Sequence, residues 1–196
     1  PMDLSRWGRI AGADEAGRGP LAGPVVAAAT VLTPAQEEEL LSLGLTDSKK
    51  LTPRRREFLF ERMLSLNVRW RAQAASPARI DGMNILRASL WAMGRSVEKL
   101  PPCFDTVIVD GTFPLPGLTC RQFPLPKADS LVPAAAAASV AAKVLRDRVM
   151  EILDGLFPGY GFKQHKGYPT AAHRKALVAL GPSPVHRASF TWSAPS

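Results

Sequence analysis

The chain has only two cysteines in 196 residues, Cys103 and Cys120. That is too few for a disulfide framework, and neither is spaced with His165, His173 or His186 as a zinc-binding set. Reduced thiols are the expected state. No apolar run approaches the roughly 20 residues that span a bilayer, and no signal-peptide pattern opens the sequence, so a soluble, cytoplasmic protein without a membrane partner is expected. Acidic residues are scarce as well: 17 Asp and Glu stand against 25 Lys and Arg, a formal charge of +8 with a pI near 10.0. An excess of that size suits a polyanionic partner, most commonly nucleic acid, although charge alone does not separate DNA, RNA and acidic lipid. Acids that cluster at the ends of apolar segments in so basic a chain call for a reason.

What is present is enough apolar residue, 46 %, for one well-buried domain. The stretch least explicable as packing runs from Ile10 to Pro24. There Asp14 and Glu15 end a short apolar run and are followed by Gly17-Arg18-Gly19-Pro20. Carboxylates at a strand end supply oxygen ligands for a hard cation, and glycines let a polyanion approach the main chain. The alternative is a pair of surface acids before a turn. Neighbours on a regular strand point to opposite faces, so a shared site for Asp14 and Glu15 requires the strand to end or bulge between them.

Along the chain, Trp7 to Ala13 and Pro24 to Leu32 read as adjacent antiparallel strands after a loose terminus at residues 1–6. Pro34 to Leu43 reads as a short helix, and Thr52-Pro53 as the cap and first turn of a helix reaching about Leu66. Lys49 and Lys50 precede it, as a solvated turn or as phosphate contacts. Asn67 to Ala75 alternates as a strand with one basic face, and Ile80 to Leu100 carries the three-and-four spacing of one long amphipathic helix. Thr106 to Val109 is continuously apolar, hence a central strand, and delivers Asp110-Gly111 at its end. Leu118 to Phe123 is a further strand. Asp129 and Ser130 then stand before an alanine-rich helix, Pro133 to Leu153, on which Ser139, Lys143 and Asp147 share a face. By local chemistry alone Asp129 reads as a helix cap. A basic, glycine-rich loop with Tyr160, Phe162 and Tyr168 interleaved precedes a last helix from Thr170 to Leu180.

Together these pieces resemble the ribonuclease HII family, the type 2 ribonucleases H, from about Ile10 to Phe190. The resemblance rests on segments in the family's order: Gly12 to Pro20, Asp47-Ser48-Lys49-Lys50-Leu51, Val109-Asp110-Gly111, Lys127 to Ser130, Ala138 to Asp147, Lys166 to Pro169 and His186 to Phe190. It implies an α/β fold of the ribonuclease H kind, a mixed central sheet flanked by helices. The catalytic domain would cover residues 1–155, and a small helical C-terminal part, 156–196, would complete the substrate groove. It places the metal-binding catalytic acids at Asp14, Glu15, Asp110 and Asp129, which overrides the cap reading of Asp129. It assigns Gly17, Arg18, Gly19 and Tyr168 to the ribonucleotide, with Lys49, Arg187 and Ser189 as phosphate contacts, and leaves Asp147 near the site but outside the quartet. Ala13, Ala128 and the unusual alanine content after Asp129 depart from the family pattern without removing a catalytic group.

The implied activity is hydrolysis, with two Mg²⁺ or Mn²⁺ ions, of the RNA strand of RNA/DNA hybrids and cleavage 5′ of single ribonucleotides in duplex DNA, by a monomer. The residues suit it: a two-metal phosphodiesterase needs clustered carboxylates, and telling RNA from DNA needs donors for the 2′-hydroxyl. The rival readings are a resolvase- or transposase-type DNA nuclease and a catalytically silent nucleic-acid-binding module.

Overall fold

The computed structural model describes residues 7–194; the loose terminus expected at residues 1–6 lies outside them. Five strands form one sheet in the order β3-β2-β1-β4-β5. They are β1 (Ile10–Ala16), β2 (Val25–Val31), β3 (Arg69–Ala75), β4 (Thr106–Asp110) and β5 (Arg121–Leu125). The first three are antiparallel, whereas β4 runs parallel to both β1 and β5. The helices are α1 (Pro34–Ser42), α2 (Pro53–Ser65), α3 (Pro77–Met83), α4 (Ile85–Glu98), α5 (Pro133–Leu156), α6 (Phe162–His165) and α7 (Ala171–Leu180). Thr33, Thr52, Ser76 and Thr170 each cap a helix by accepting an N–H in its first turn, which satisfies a donor the helix leaves free.

Alternation along the strands sorts the core into two layers. Ala11, Ala13, Val25, Ala27, Ala29, Val107 and Val109 face α4, meeting Ala88, Ala92, Met93 and Val97. On the other face Ala28 meets Ala137, Val140 and Ala141 of α5, with Leu59, Phe60 and Met63 of α2 beyond. The alanines explain the approach of α5. A Cβ on Gly12 would stand 2.2 Å from Ala135 N, so the helix backbone lies directly against β1, and Thr30 Oγ1 donates to Ala134 O at 2.6 Å. Asp14 follows Gly12 on that same face and is thereby set against the first turns of α5.

Three expectations are corrected. The first strand begins and ends later and runs through both acids without a bulge, Asp14 pairing with Ala28, Glu15 with Ala27 and Ala16 with Val26. The long helix predicted from Ile80 is two helices, broken at Asn84. Its backbone turns to φ 68° and its side chain accepts from Arg87 N, a local bond that periodicity does not register. The fifth strand starts at Arg121, because Gln122 closes the preceding segment by bonding both N and O of Leu115.

Candidate active site

Asp110 ends β4 beside β1, and Asp129 sits in the turn Ala128–Ser130 after β5. Carboxylate oxygens of Asp14, Asp110 and Asp129 lie within 4.8 Å of one another. The turn is tied to the strand end, since Ala128 N–H donates to Asp110 Oδ1 at 2.7 Å, and Lys127 enters it with φ 62°. Glu15 does not join this set. It projects to the α4 face, lining a depression with Arg18, Leu86, Leu90, Met93 and Asp110, and pairs with Arg18 Nη1 at 3.6 Å. The expected break between the two acids is therefore absent. Asp110 borders both the aspartate cluster and the Glu15 depression.

Burial and crowding make Asp14, Glu15 and Asp129 hold protons. Desolvation, with Glu15 and Asp110 adding like charge, pushes Asp14 well above the usual carboxylate range. Burial also raises Glu15 and Asp129, the latter helped by Asp110 and Asp47. Lys49 Nζ stands 3.5 Å from Asp129 Oδ2. Burial alone would lower Lys49, but Asp14, Asp129, Asp47 and Asp110 together hold its ammonium above its ordinary value. Three crowded carboxylates offering only oxygen ligands fit a hard divalent cation such as Mg²⁺ or Mn²⁺.

Residues without a sequence-level assignment hold the cluster in place. Ser139 on α5 donates to Ser48 Oγ at 2.8 Å, and its hydroxyl partly offsets the rise in Asp14. Arg56, buried on α2, donates to Ser48 O and Leu51 O at 2.9 and 2.6 Å and meets Asp147 at 3.6 Å, while Lys143 Nζ donates to Asp147 at 2.7 Å. Asp147 thus braces the segment that presents Lys49. The shared face of Ser139, Lys143 and Asp147 was the legible signal for this brace; Arg56, on the neighbouring helix α2, gave none.

The loop after β1 packs against the C-terminal segment. Leu21 N–H donates to Gly167 O, Arg187 N–H to Leu21 O and Gly23 N–H to Val185 O, each at 2.8 Å. Tyr168, 42 % exposed, stands beside Gly19, and Lys49 is exposed at the rim. Arg187 is not a rim residue. It is 2 % exposed and its guanidinium is spent on loop carbonyls, which corrects the phosphate-contact expectation. Burial, with Arg146 nearby, brings it down to about 9, still charged at neutral pH. Ser189 is exposed, with both its N–H and its hydroxyl bonded to Asp81 Oδ1. A histidine chain backs Tyr168. Ser183 N–H donates to His186 Nδ1 (2.9 Å), so His186 Nε2–H donates to His173 Nε2 (3.0 Å), leaving His173 Nδ1–H for Tyr168 O (2.9 Å).

Helices on both faces of a mixed sheet, with aspartates converging at the carboxyl ends of neighbouring parallel strands, define a ribonuclease H-like nuclease of the metal-dependent class. The profile of the ribonuclease HII family matches residues 11–193, and the chain belongs to that family. It is 50 % identical over 189 residues to a ribonuclease HII of Syntrophotalea carbinolica, covering 95 % of this chain and 88 % of that one. Among solved structures it is similar to ribonuclease H2 of Pyrococcus horikoshii (TM-score 0.76, 28 % identity, 93 % of both chains). It is also similar to the RNase HII of Archaeoglobus fulgidus, solved in complex with PCNA (TM-score 0.72, 28 % identity, 91 % and 92 % of the chains). The protein is accordingly an endoribonuclease that hydrolyses RNA in RNA/DNA hybrids and depends on a divalent metal. No helix among the described residues is long and apolar enough to cross a membrane.

Proposed function

We propose that this chain, acting as a monomer, also cuts duplex DNA immediately 5′ of an isolated ribonucleotide, leaving 3′-hydroxyl and 5′-phosphate ends, and so serves ribonucleotide removal. The observation that carries this reading is the position of the aspartate cluster at one end of β1 with the Gly17-Arg18-Gly19 loop and Tyr168 at the same end. Asp14, Asp110 and Asp129 would hold one divalent ion and Glu15 would share a second with Asp110, whose carboxylate borders both sites. Bound there, the ions supply an activated water and stabilise the leaving 3′ oxygen. Lys49, facing the cluster, balances its charge and meets the phosphate that enters. The loop amides and the Tyr168 hydroxyl read the 2′-hydroxyl, which alone distinguishes the ribonucleotide from its DNA neighbours.

The test is a labelled DNA duplex containing one ribonucleotide beside an all-DNA duplex, with Mg²⁺ or Mn²⁺, with EDTA, and with Asp14→Asn. Cutting 5′ of the ribonucleotide is expected only with metal and the intact cluster, Asp14→Asn losing at least about 10³-fold in kcat. Tyr168→Ala should lose more on the single ribonucleotide than on a long hybrid; equal losses remove Tyr168 from its assigned role. Cutting of all-DNA duplex would indicate a resolvase- or transposase-type nuclease, and binding without cutting a silent module.

A further inference from the structure

The loop joining β1 to β2 turns its carbonyls inward onto two buried arginines. Gly17 O and Arg18 O accept from Arg187 Nη2 and Nη1 at 2.6 and 2.8 Å, and Gly23 O accepts from Arg187 Nε at 3.0 Å. From the α5 side, Arg146 Nε reaches Pro24 O at 3.1 Å, and its Nη2 reaches Ala22 O and Lys166 O at 3.3 and 3.0 Å. Arg146 is 0 % and Arg187 2 % exposed, and neither takes part in an ion pair among the described residues. Buried guanidinium groups are ordinarily paired with carboxylates. Here main-chain carbonyls take that place, so two guanidinium groups without a direct carboxylate partner lie beneath the loop.

The direction of those carbonyls fixes the direction of the amides. A trans peptide sets its C=O and N–H on opposite sides, and no cis peptide occurs among the described residues. With Gly17 O and Arg18 O held on Arg187, the N–H groups of the same two peptides, carried by Arg18 and Gly19, point away from it. Neither amide has an acceptor among the described residues, and both residues are exposed. Gly19 lies beside Tyr168, whose ring Cε1 would be 3.7 Å from a Cβ at that position. Gly17, at φ 101°, leaves room underneath: a Cβ there would fall 1.9 Å from Arg146 Nε.

We infer that Arg187 is a positioning residue for substrate choice: by gripping the carbonyls of Gly17 and Arg18 it aims the Arg18 and Gly19 amides outward, beside Tyr168, as a fixed pair of donors to the ribonucleotide. The inference rests on the reading of this loop as the ribonucleotide contact. Arginine is required for its planar fork as much as for its charge, because its Nε, Nη1 and Nη2 each reach a different carbonyl, whereas an ammonium's three N–H bonds diverge from a single nitrogen. Lysine therefore separates the two properties.

Arg187→Lys is compared with the unmodified residue, both in full-length protein carrying Asp14→Asn so that the duplex is not cut. Fluorescence anisotropy gives affinities for a DNA duplex with one ribonucleotide and for its all-DNA twin, while ¹⁵N relaxation gives the order of the Arg18 and Gly19 amides. The expected result is at least a tenfold loss of preference for the ribonucleotide, all-DNA affinity held within twofold, and amide order falling from about 0.85 to below about 0.6. Preference retained, or amide order unchanged, overturns the inference while leaving the ribonucleotide reading intact. No preference in the protein with Arg187 present defeats that reading and the inference with it. Amides already disordered with Arg187 in place overturn the inference in a chain that carries no change at that position, so a poorly folded variant does not shield it.

Discussion

At the residue scale the active site is a place where the fold is held against its own electrostatics. Asp14 is 3 % exposed beside other carboxylates and takes up its proton more readily than an ordinary aspartate, first through burial and then through Glu15 and Asp110. A carboxyl whose folded pKa is raised contributes stability that is present below its unfolded value and lost as pH rises through the folded one. At neutral pH, without metal, Asp14 therefore costs stability, and Asp14→Asn should raise the melting temperature of the metal-free protein while abolishing turnover. Each kcal/mol of relieved burial cost should move the midpoint up by about 2–4 °C for a chain of this size. Calorimetry at pH 7.5 with EDTA and then with Mg²⁺ checks it. The gain should shrink when the cation is added and again below pH 4; a variant that melts lower in EDTA would show that Asp14 supports the fold in its charged form.

At the element scale the pieces that carry function are those whose packing leaves little freedom. The alanine run from Ala134 was legible as a helix able to approach a neighbour, and Gly12 against Ala135 is that approach. The four candidate acids were named from short segments in a family's order, because spacing along the chain is what such segments record. Their three-dimensional partition was not legible: a regular strand sends Glu15 to the α4 face, and whether a bulge intervenes depends on β2, which pairs through Ala16. The role of Arg187 was misread for a related reason. A basic residue near the end of a chain looks like a surface contact until the loop folded over it is known. His173 and His186, unassigned at first, form another such support behind Tyr168. Burial lowers both, His186 to about 4 with His173 as the next cause. A depressed histidine contributes stability that is present above its unfolded value near 6.5 and lost as pH falls toward the folded value. Between pH 7 and 5 the unmodified protein should lose about 1–2 kcal/mol relative to His186→Gln, which cannot titrate, once screening of a half-buried ring is allowed for. Urea denaturation of both proteins at the two pH values measures this. Referring each protein to its twin cancels the opposite trend from the acid cluster; parallel pH dependence would mean the histidine chain does not hold the native state.

At the scale of the whole molecule, an acidic centre is set in a chain of formal charge +8. The two signs do different work. Lys49, Lys50 and Lys127 stand around the aspartates, and Arg18 lies at the rim beside Glu15. Cations at the rim draw in a phosphate backbone whichever base it carries, whereas on the proposed reading the loop amides and Tyr168 act only on a ribose at one position. Affinity and selectivity should therefore separate under salt. If about four to five phosphates are neutralised, binding of the Asp14→Asn protein should weaken about 10²–10³-fold between 50 and 200 mM monovalent salt, a log–log slope near −4. The ratio between ribonucleotide-bearing and all-DNA duplexes should hold within about twofold over the same range, since hydrogen bonds to one hydroxyl release no counterions. Anisotropy titrations at four salt concentrations, with both duplexes, provide the slope and the ratio together. A ratio that collapsed in parallel with affinity would place selectivity in the phosphate contacts and take it from the loop. A constant ratio over a steep slope leaves the basic surface to gather nucleic acid and the Gly17-Arg18-Gly19 loop to choose the position at which the carboxylates act.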